Sequence, residues 1–267
     1  MGTGPSGKLR GVRRRQFDLL EVLLVLAFAV LLTAAVVWNR ASHATTAPPT
    51  VLEGDVLAGL VRRFGPARHS QGPEEWIVRE FFNDMKSGVF LDVGAYRALE
   101  WSNTAALEKD LNWSGVAIDA IEEFGAEYVK DRPHTRFVTA FVTDTDLGTS
   151  TIFFDPKEAA VSSSDPTFTR LFTSDAKPRQ VRNRTLDSIL TEAGITKTDY
   201  MSMDIELGEP AALRGLAIDR FLPRLVCVEA HAKTRQQIID YFVRHGYTVV
   251  GRYLRIDPAN LYFTPLQ

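Results

Sequence analysis

Apolar positions along the chain change period in a regular order. At residues 51–64 they recur at helical spacing (Val51, Leu52, Val56, Leu57, Leu60, Val61, Phe64), and Gly65-Pro66 stops the run. A second helix is predicted over 73–85, with Pro73 at its start, Glu74 and Glu75 in its first turn, and Trp76, Ile77, Phe81 and Phe82 on one face. The pattern then shortens to a strand, Val89-Phe90-Leu91, closed by Asp92-Val93-Gly94 and followed by a helix through 104–111. Residues 113–119, 137–143, 149–154, 200–206 and 223–229 predict further strands, and a short one begins at Val181. Helices are predicted between them at 122–129, from Thr185, and from Pro210 to a stop at Gly215. Strand–helix alternation of this kind predicts an α/β domain with a mainly parallel sheet. The end differs: 247–250 and 260–264 are two strands around a polar link with Asp257-Pro258, the pattern of an antiparallel hairpin at a sheet edge. Between 156 and 178 the periodicity is lost among Ser, Thr, Asp and Pro, as in a lid, a specificity element or a disordered loop.

The N-terminus has another pattern. Residues 17–38 are apolar but for Asp18, Glu21 and Thr33, and Lys8, Arg10, Arg13, Arg14 and Arg15 precede them. The uninterrupted run at 22–38 would cover most of a hydrocarbon core at ~1.5 Å per residue. The expectation is a basic tail at 1–16, a transmembrane signal-anchor helix at 17–38, a linker at 39–50 and an α/β domain at 51–267. The basic flank predicts a single-pass membrane protein with its N-terminus cytoplasmic and its domain luminal or extracytoplasmic. A cleaved export signal, with Ala41-Ser42-His43-Ala44 as its processing site, is the alternative.

Composition narrows the function classes. The chain has 267 residues and a net charge of -2, which argues against a nucleic-acid partner held by bulk charge. Its one cysteine, Cys227, excludes an intrachain disulfide and a cysteine zinc site, and lies in an apolar run as core filler.

The candidate chemistry gathers at strand ends. Ligands of doubly wound sheets bind at the carboxyl ends of the strands, where the strand order reverses. Gly94 allows a tight turn and a close ligand approach there, with Asp92 beneath it as an acceptor. Asp119 ends the second strand, where an acid either bonds ribose hydroxyls or caps the next helix. Asp204, Glu206 and Glu229 end later strands, and His231 follows the last of them. The loop after the first strand lacks Gly-x-Gly-x-x-Gly, which makes a nicotinamide-dependent oxidoreductase the weaker reading.

These motifs in this order resemble the FkbM family of class I S-adenosylmethionine-dependent methyltransferases. The resemblance runs from about Ser70 to the end and is carried by Ser70-Gln71 with Glu75, FLDVGA at 90–95, SNT at 102–104, LEKDLNWSGVAID at 107–119, TLDSIL at 185–190, SMDIELGEPAALRGL at 202–216 and PRLVCVEAH at 223–231. It implies a Rossmann-like sheet of seven strands closing in the antiparallel hairpin, with S-adenosylmethionine held by Asp92, Gly94, Ala95, Tyr96, Asn103 and Asp119. It also implies O-methylation of a sugar, glycan or related polyhydroxylated acceptor. The chain departs from the family at Tyr96, usually Asn, and at Ala98 and Leu207, both usually Gly. Those departures motivate the alternative of an anchored binding module that has lost catalysis. A hydroxyl is a poor nucleophile, so Asp204, Glu206, Glu229 and His231 are the candidate catalytic residues. Base catalysis, for which an ordinary histidine is suited, is preferred to a divalent cation held by the same side chains.

Overall fold

The structure, a computed structural model, describes residues 56–266. Two helices lead in, α1 (Val56–Phe64) and α2 (Glu74–Phe82). The sheet then begins with β1 (Val89–Val93), α3 (Ala105–Leu111), β2 (Ser114–Asp119), α4 (Gly125–Asp131) and β3 (Thr135–Thr139). After an excursion, β7 (Tyr200–Met203), α7 (Glu209–Arg214), α8 (Ile218–Phe221), β8 (Leu225–Glu229) and α9 (Arg235–Arg244) resume it, and β9 (Tyr247–Val249) and β10 (Asn260–Pro265) end it. The excursion holds β4 (Phe141–Val142), β5 (Thr149–Phe154), α5 (Pro166–Thr169), β6 (Lys177–Arg184) and α6 (Leu186–Glu192).

Seven strands form the main sheet in the order β3-β2-β1-β7-β8-β10-β9. The first five run parallel, and β10 lies antiparallel to both β8 and β9. The expected seven-stranded, mainly parallel sheet with a terminal hairpin is therefore present, and its order is that of a class I methyltransferase-like fold. The order reverses between β1 and β7, where Asp92 pairs with Ser202 and Val93 with Met203. β1 is covered on both faces: Phe90 packs with Leu107, Leu111 and Trp113, whereas Leu91 and Val93 pack with Met201, Val226 and Ile238. Cys227 is buried in β8 beside Tyr262, as filler.

Three expectations change. The third strand, read as 137–143, is broken at Ala140: β3 stays in the main sheet, while β4 pairs with β6 in a second sheet ordered β4-β6-β5. That small sheet buries Ile152, Phe154 and Val181 against Ile121 and Phe124, so it covers its own apolar patch. The helix expected at 122–129 starts as a tight 3-10 turn, Glu122–Phe124, before α4. The membrane-spanning helix is a correction: no helix among the described residues is long and apolar enough to cross a membrane. The longest, α9, has 10 residues, about 15 Å at the usual rise and half a hydrocarbon core. The stretch at 17–38 lies outside the described residues. The transmembrane part of the fold class, the anchor as a membrane partner and the single-pass location with a luminal or extracytoplasmic domain are accordingly withdrawn.

Candidate active site

The loop after β1 is shaped by one close approach. Gly94 has φ +79, and a Cβ there would lie 1.7 Å from the carbonyl oxygen of Asp204. Glycine is required on both counts. The amides of Gly94 and Ala95 both donate to the Ile118 carbonyl, at 2.9 and 3.0 Å, which turns the chain over the tip of β2. Asp119 then clamps the turn: Oδ2 accepts from the Tyr96 amide and Oδ1 from the Ile121 amide, each at 2.9 Å. The two readings of Asp119 thus overlap, since it caps the following turn and keeps spare lone pairs on both oxygens.

The departures from the family have local explanations. Tyr96 sits at φ 53, in the left-handed region that an asparagine tolerates better. Its ring stacks on Trp101 at 5.7 Å and meets Phe124 edge-on at 4.9 Å, so aromatic packing offsets the strain. Ala98 turns its methyl inward, buried with Ala95, Ala117 and Tyr128. Leu207 adopts φ 78, a glycine conformation without the glycine.

Beneath the loop, Asp92 is buried and accepts from Thr104 Oγ1 at 2.6 Å. Burial pushes its carboxyl up to about 6, and the Thr104 hydrogen bond and the Arg132 charge oppose that rise. Asp119 is likewise pushed up to about 6 by burial, against the amides it accepts from. Asn103 donates to Ser202 Oγ at 3.0 Å and so ties the start of α3 to β7. Sequence reasoning missed Arg132. Its fully buried guanidinium pairs with Glu108 at 2.6 Å and donates to the Ala98 carbonyl, Ser102, Thr104 and Thr135. It holds the far end of the Gly94 loop to α3. Nothing in the local pattern around Arg132 marks that role.

The second half of the site lies past β7 and β8. His231 Nε2 is 3.3 Å from Glu206 Oε2 and 2.8 Å from Glu229 Oε2. These carboxylates, Glu206 first, push the imidazole up to about 10, so His231 is charged at neutral pH and donates. Asp204 is an exposed residue whose carboxyl is nonetheless crowded by protein atoms; that crowding first, and then the charges of Glu229 and Glu206, hold the carboxyl above the ordinary range. Desolvation also raises Glu206, against the His231 hydrogen bond, and pushes Glu209 up to about 7. Glu209, part of the 202–216 motif but not singled out as a site residue, is wholly buried and accepts from the Ile205 amide at 3.2 Å. The segment expected as a lid or specificity element does reach this cluster. Ser163 Oγ donates to the Glu206 carbonyl at 2.8 Å, Lys233 pairs with Asp165 at 3.2 Å, and the Phe168 ring lies edge-on to His231 at 5.5 Å.

The ten residues singled out from the sequence thus fall into two adjoining groups. Asp92, Gly94, Ala95, Tyr96, Asn103 and Asp119 build the loop side, and Asp204, Glu206, Glu229 and His231 the acidic side. The backbone contact between Gly94 and Asp204 joins them. A parallel sheet whose order reverses beside a glycine turn, with acids at the strand tips, defines a doubly wound α/β fold with its ligand site at that switch point.

Comparison with known proteins extends this. The Methyltransferase FkbM domain matches residues 92–249. A search of curated proteins finds no match. Among solved structures, a TehB-like SAM-dependent methyltransferase from Corynebacterium glutamicum is similar at 11% identity and TM-score 0.40, covering 78% of this chain and 96% of its own. The 1,6-didemethyltoxoflavin-N1-methyltransferase of Burkholderia thailandensis, solved with 1,6-didemethyltoxoflavin and S-adenosylhomocysteine, is similar at 13% identity and TM-score 0.37, covering 96% of this chain and 94% of its own. The domain match spans more than half of the chain, and the chain belongs to the FkbM methyltransferase-domain family. By that domain it is a methyltransferase.

Proposed function

We propose that the protein methylates a hydroxyl of a sugar, glycan or related polyhydroxylated small molecule. The observation that carries this reading is the acidic side of the site: Asp204, Glu206 and Glu229 gather around a charged His231 at the tips of two strands, next to the Gly94 loop. Three carboxyl groups and one imidazolium suit an acceptor with several hydroxyls, since carboxylates accept from them and the imidazolium donates.

The residues of the loop side fit S-adenosylmethionine. Asp119 offers spare lone pairs to the ribose hydroxyls, Gly94 lets the backbone run close beneath the methionine portion, and Tyr96, Trp101 and Phe124 form an aromatic wall. Asp92 and Asn103 act from below, by fixing Thr104 and Ser202. When bound, the donor supplies an electrophilic methyl carbon. Asp204 takes the proton of the attacking hydroxyl: it borders the cleft, its backbone touches Gly94, and its raised pKa makes it a strong base once ionised. His231, already charged, and the carboxylates beside it orient the acceptor.

Calorimetry of the full chain with S-adenosylhomocysteine, followed by acceptor screening with labelled S-adenosylmethionine, tests the proposal. Micromolar binding that weakens at least tenfold in Asp119→Ala is expected, about 1.4 kcal/mol or more. Asp204→Asn should keep the binding and lower kcat by about a hundredfold or more. Wild-type kcat/KM should rise with pH, along a limb displaced upward from that of an ordinary carboxylate, because ionisation of Asp204 is what makes it a base. Methylation of nitrogen acceptors alone, with no hydroxyl compound turned over, would reject it.

A further inference from the structure

His231 Nε2, Glu229 Oε2 and Glu206 Oε2 offer one donor atom each, and the three lie within 4.8 Å of one another. The separations from Nε2 are 2.8 Å to Glu229 and 3.3 Å to Glu206. Ligands at right angles around a divalent ion about 2.1 Å away are about 3.0 Å apart. The spacing is that of three neighbouring ligands on one face of such an ion.

Two observations distinguish this from a plain ion pair. One imidazole N–H serves one acceptor well, and here two carboxylates share it, Glu229 at 2.8 Å and Glu206 at 3.3 Å. Glu229 Oε2, out of contact with solvent, has that 2.8 Å ion pair with Nε2 and no further hydrogen bond. Glu209 repeats the pattern independently. It is wholly buried, its Oε2 has no hydrogen-bond partner, and its charged neighbours are Glu229 and His231. Buried carboxylate oxygens are nearly always partnered. Glu209 Oε2, which has none, and Glu229 Oε2, which shares one imidazole N–H with Glu206, point to a further positive charge beside them.

We propose that Glu206, Glu229 and His231 hold a divalent cation, which displaces the Nε2 proton of His231 on binding, with Glu209 balancing its charge. One imidazole and two carboxylates suit Mn2+ or Zn2+ better than Mg2+ or Ca2+, which prefer an all-oxygen set. Three protein ligands leave positions for two adjacent hydroxyl oxygens of an acceptor. A cation there lowers the pKa of a hydroxyl set against it. Asp204 is outside the ligand set and stays available for the proton. The cation's part in methyl transfer rests on the hydroxyl-methylation reading; the ligand set does not.

The test is an electron paramagnetic resonance titration of the full chain with Mn2+, after stripping with a chelator. One Mn2+ per chain is expected. Glu206→Gln and Glu229→Gln should each weaken binding at least tenfold, and Glu123→Gln, in a surface pair with Arg179, should leave it unchanged. Mn2+ should raise the melting temperature of the wild type and not of the two variants. If Glu229→Gln fails to fold, Glu206→Gln, at a side chain that meets solvent, carries the comparison. Absence of both Mn2+ and Zn2+ binding in the wild type, or undiminished binding in the folded variants, overturns the site. The readout uses neither methyl donor nor acceptor. Failure of binding therefore leaves the methyl-transfer reading standing, and binding without methylation of any hydroxyl leaves the site standing while that reading falls.

Discussion

Single residues decide whether the loop can form. At Gly94 a methyl group would have to share space with the Asp204 carbonyl, and the backbone is left-handed as well. Gly94→Ala should cost about 3 kcal/mol or more in urea denaturation and abolish S-adenosylhomocysteine binding in calorimetry, because the strain falls on the cofactor loop itself. Leu207 presents the opposite case. Its φ of 78 lies in the left-handed region, where a branched side chain is strained and glycine is not. Leu207→Gly should raise stability by about 1 kcal/mol, read as a higher denaturation midpoint. Ala98 looked from sequence like a similar departure, yet its methyl group points into the packing of Tyr128, so it does not crowd the cleft.

At the scale of elements, the segment between β5 and β6 matters most for acceptor choice. It lacks periodicity because short turns and side-chain bonds hold it: Asp165 caps α5 by accepting from the amides of Thr167 and Phe168, and Asp155 accepts from Thr173 Oγ1 at 2.5 Å. It brings Phe168 against His231. Phe168→Ala should raise the acceptor KM about tenfold, equivalent to about 1.4 kcal/mol, with kcat and melting temperature little changed. Steady-state kinetics on the acceptor found by screening, with a thermal melt alongside, check this. Arg132 has the matching role on the loop side, where one guanidinium ties β3, α3 and the Ala98 carbonyl together.

Over the whole molecule, buried carboxyl groups set the pH dependence of stability. Glu74, buried under β10, is pushed up to about 7 by burial first and by Asp257 next. An unfolded glutamate ionises near 4.3. Between those values the folded chain retains a proton that the unfolded chain has lost, so stability falls as pH rises from about 4.5 through 7. Asp92 and Asp119, at about 6, have the same sign. His231, at about 10, adds stability that is complete below pH 6.5 and lost toward 10, again falling with pH. Carboxylates held low by arginine, such as Glu123 and Glu192, matter only on the acid side of this window. The melting temperature, measured in chelator, should drop from pH 5 to pH 8. Glu74→Gln should remove of order 3 kcal/mol of that drop.

The local pattern of the chain determined its elements. Short continuous apolar runs ending in an acid gave β1, β2, β7 and β8; helical patterns gave α1 to α3; and the closing polar link gave the antiparallel β9–β10 pair. Those signals are local, because a strand or helix buries a face whose spacing is written in its own residues. The acids at the strand tips were legible for the same reason, since the end of an apolar run marks the end of a strand. Tertiary structure alone decided what those acids face. The contact of Gly94 with Asp204, the clamp of Asp119 on Tyr96, the convergence of Glu206 and Glu229 on His231, and the reach of Glu209 and Arg132 all join segments far apart in the chain. The break of the third strand at Ala140 was decided there too, because Phe141 and Val142 find partners in β6, a strand that comes much later. No local period encodes such pairings; they follow from which strands lie side by side once the sheet has closed.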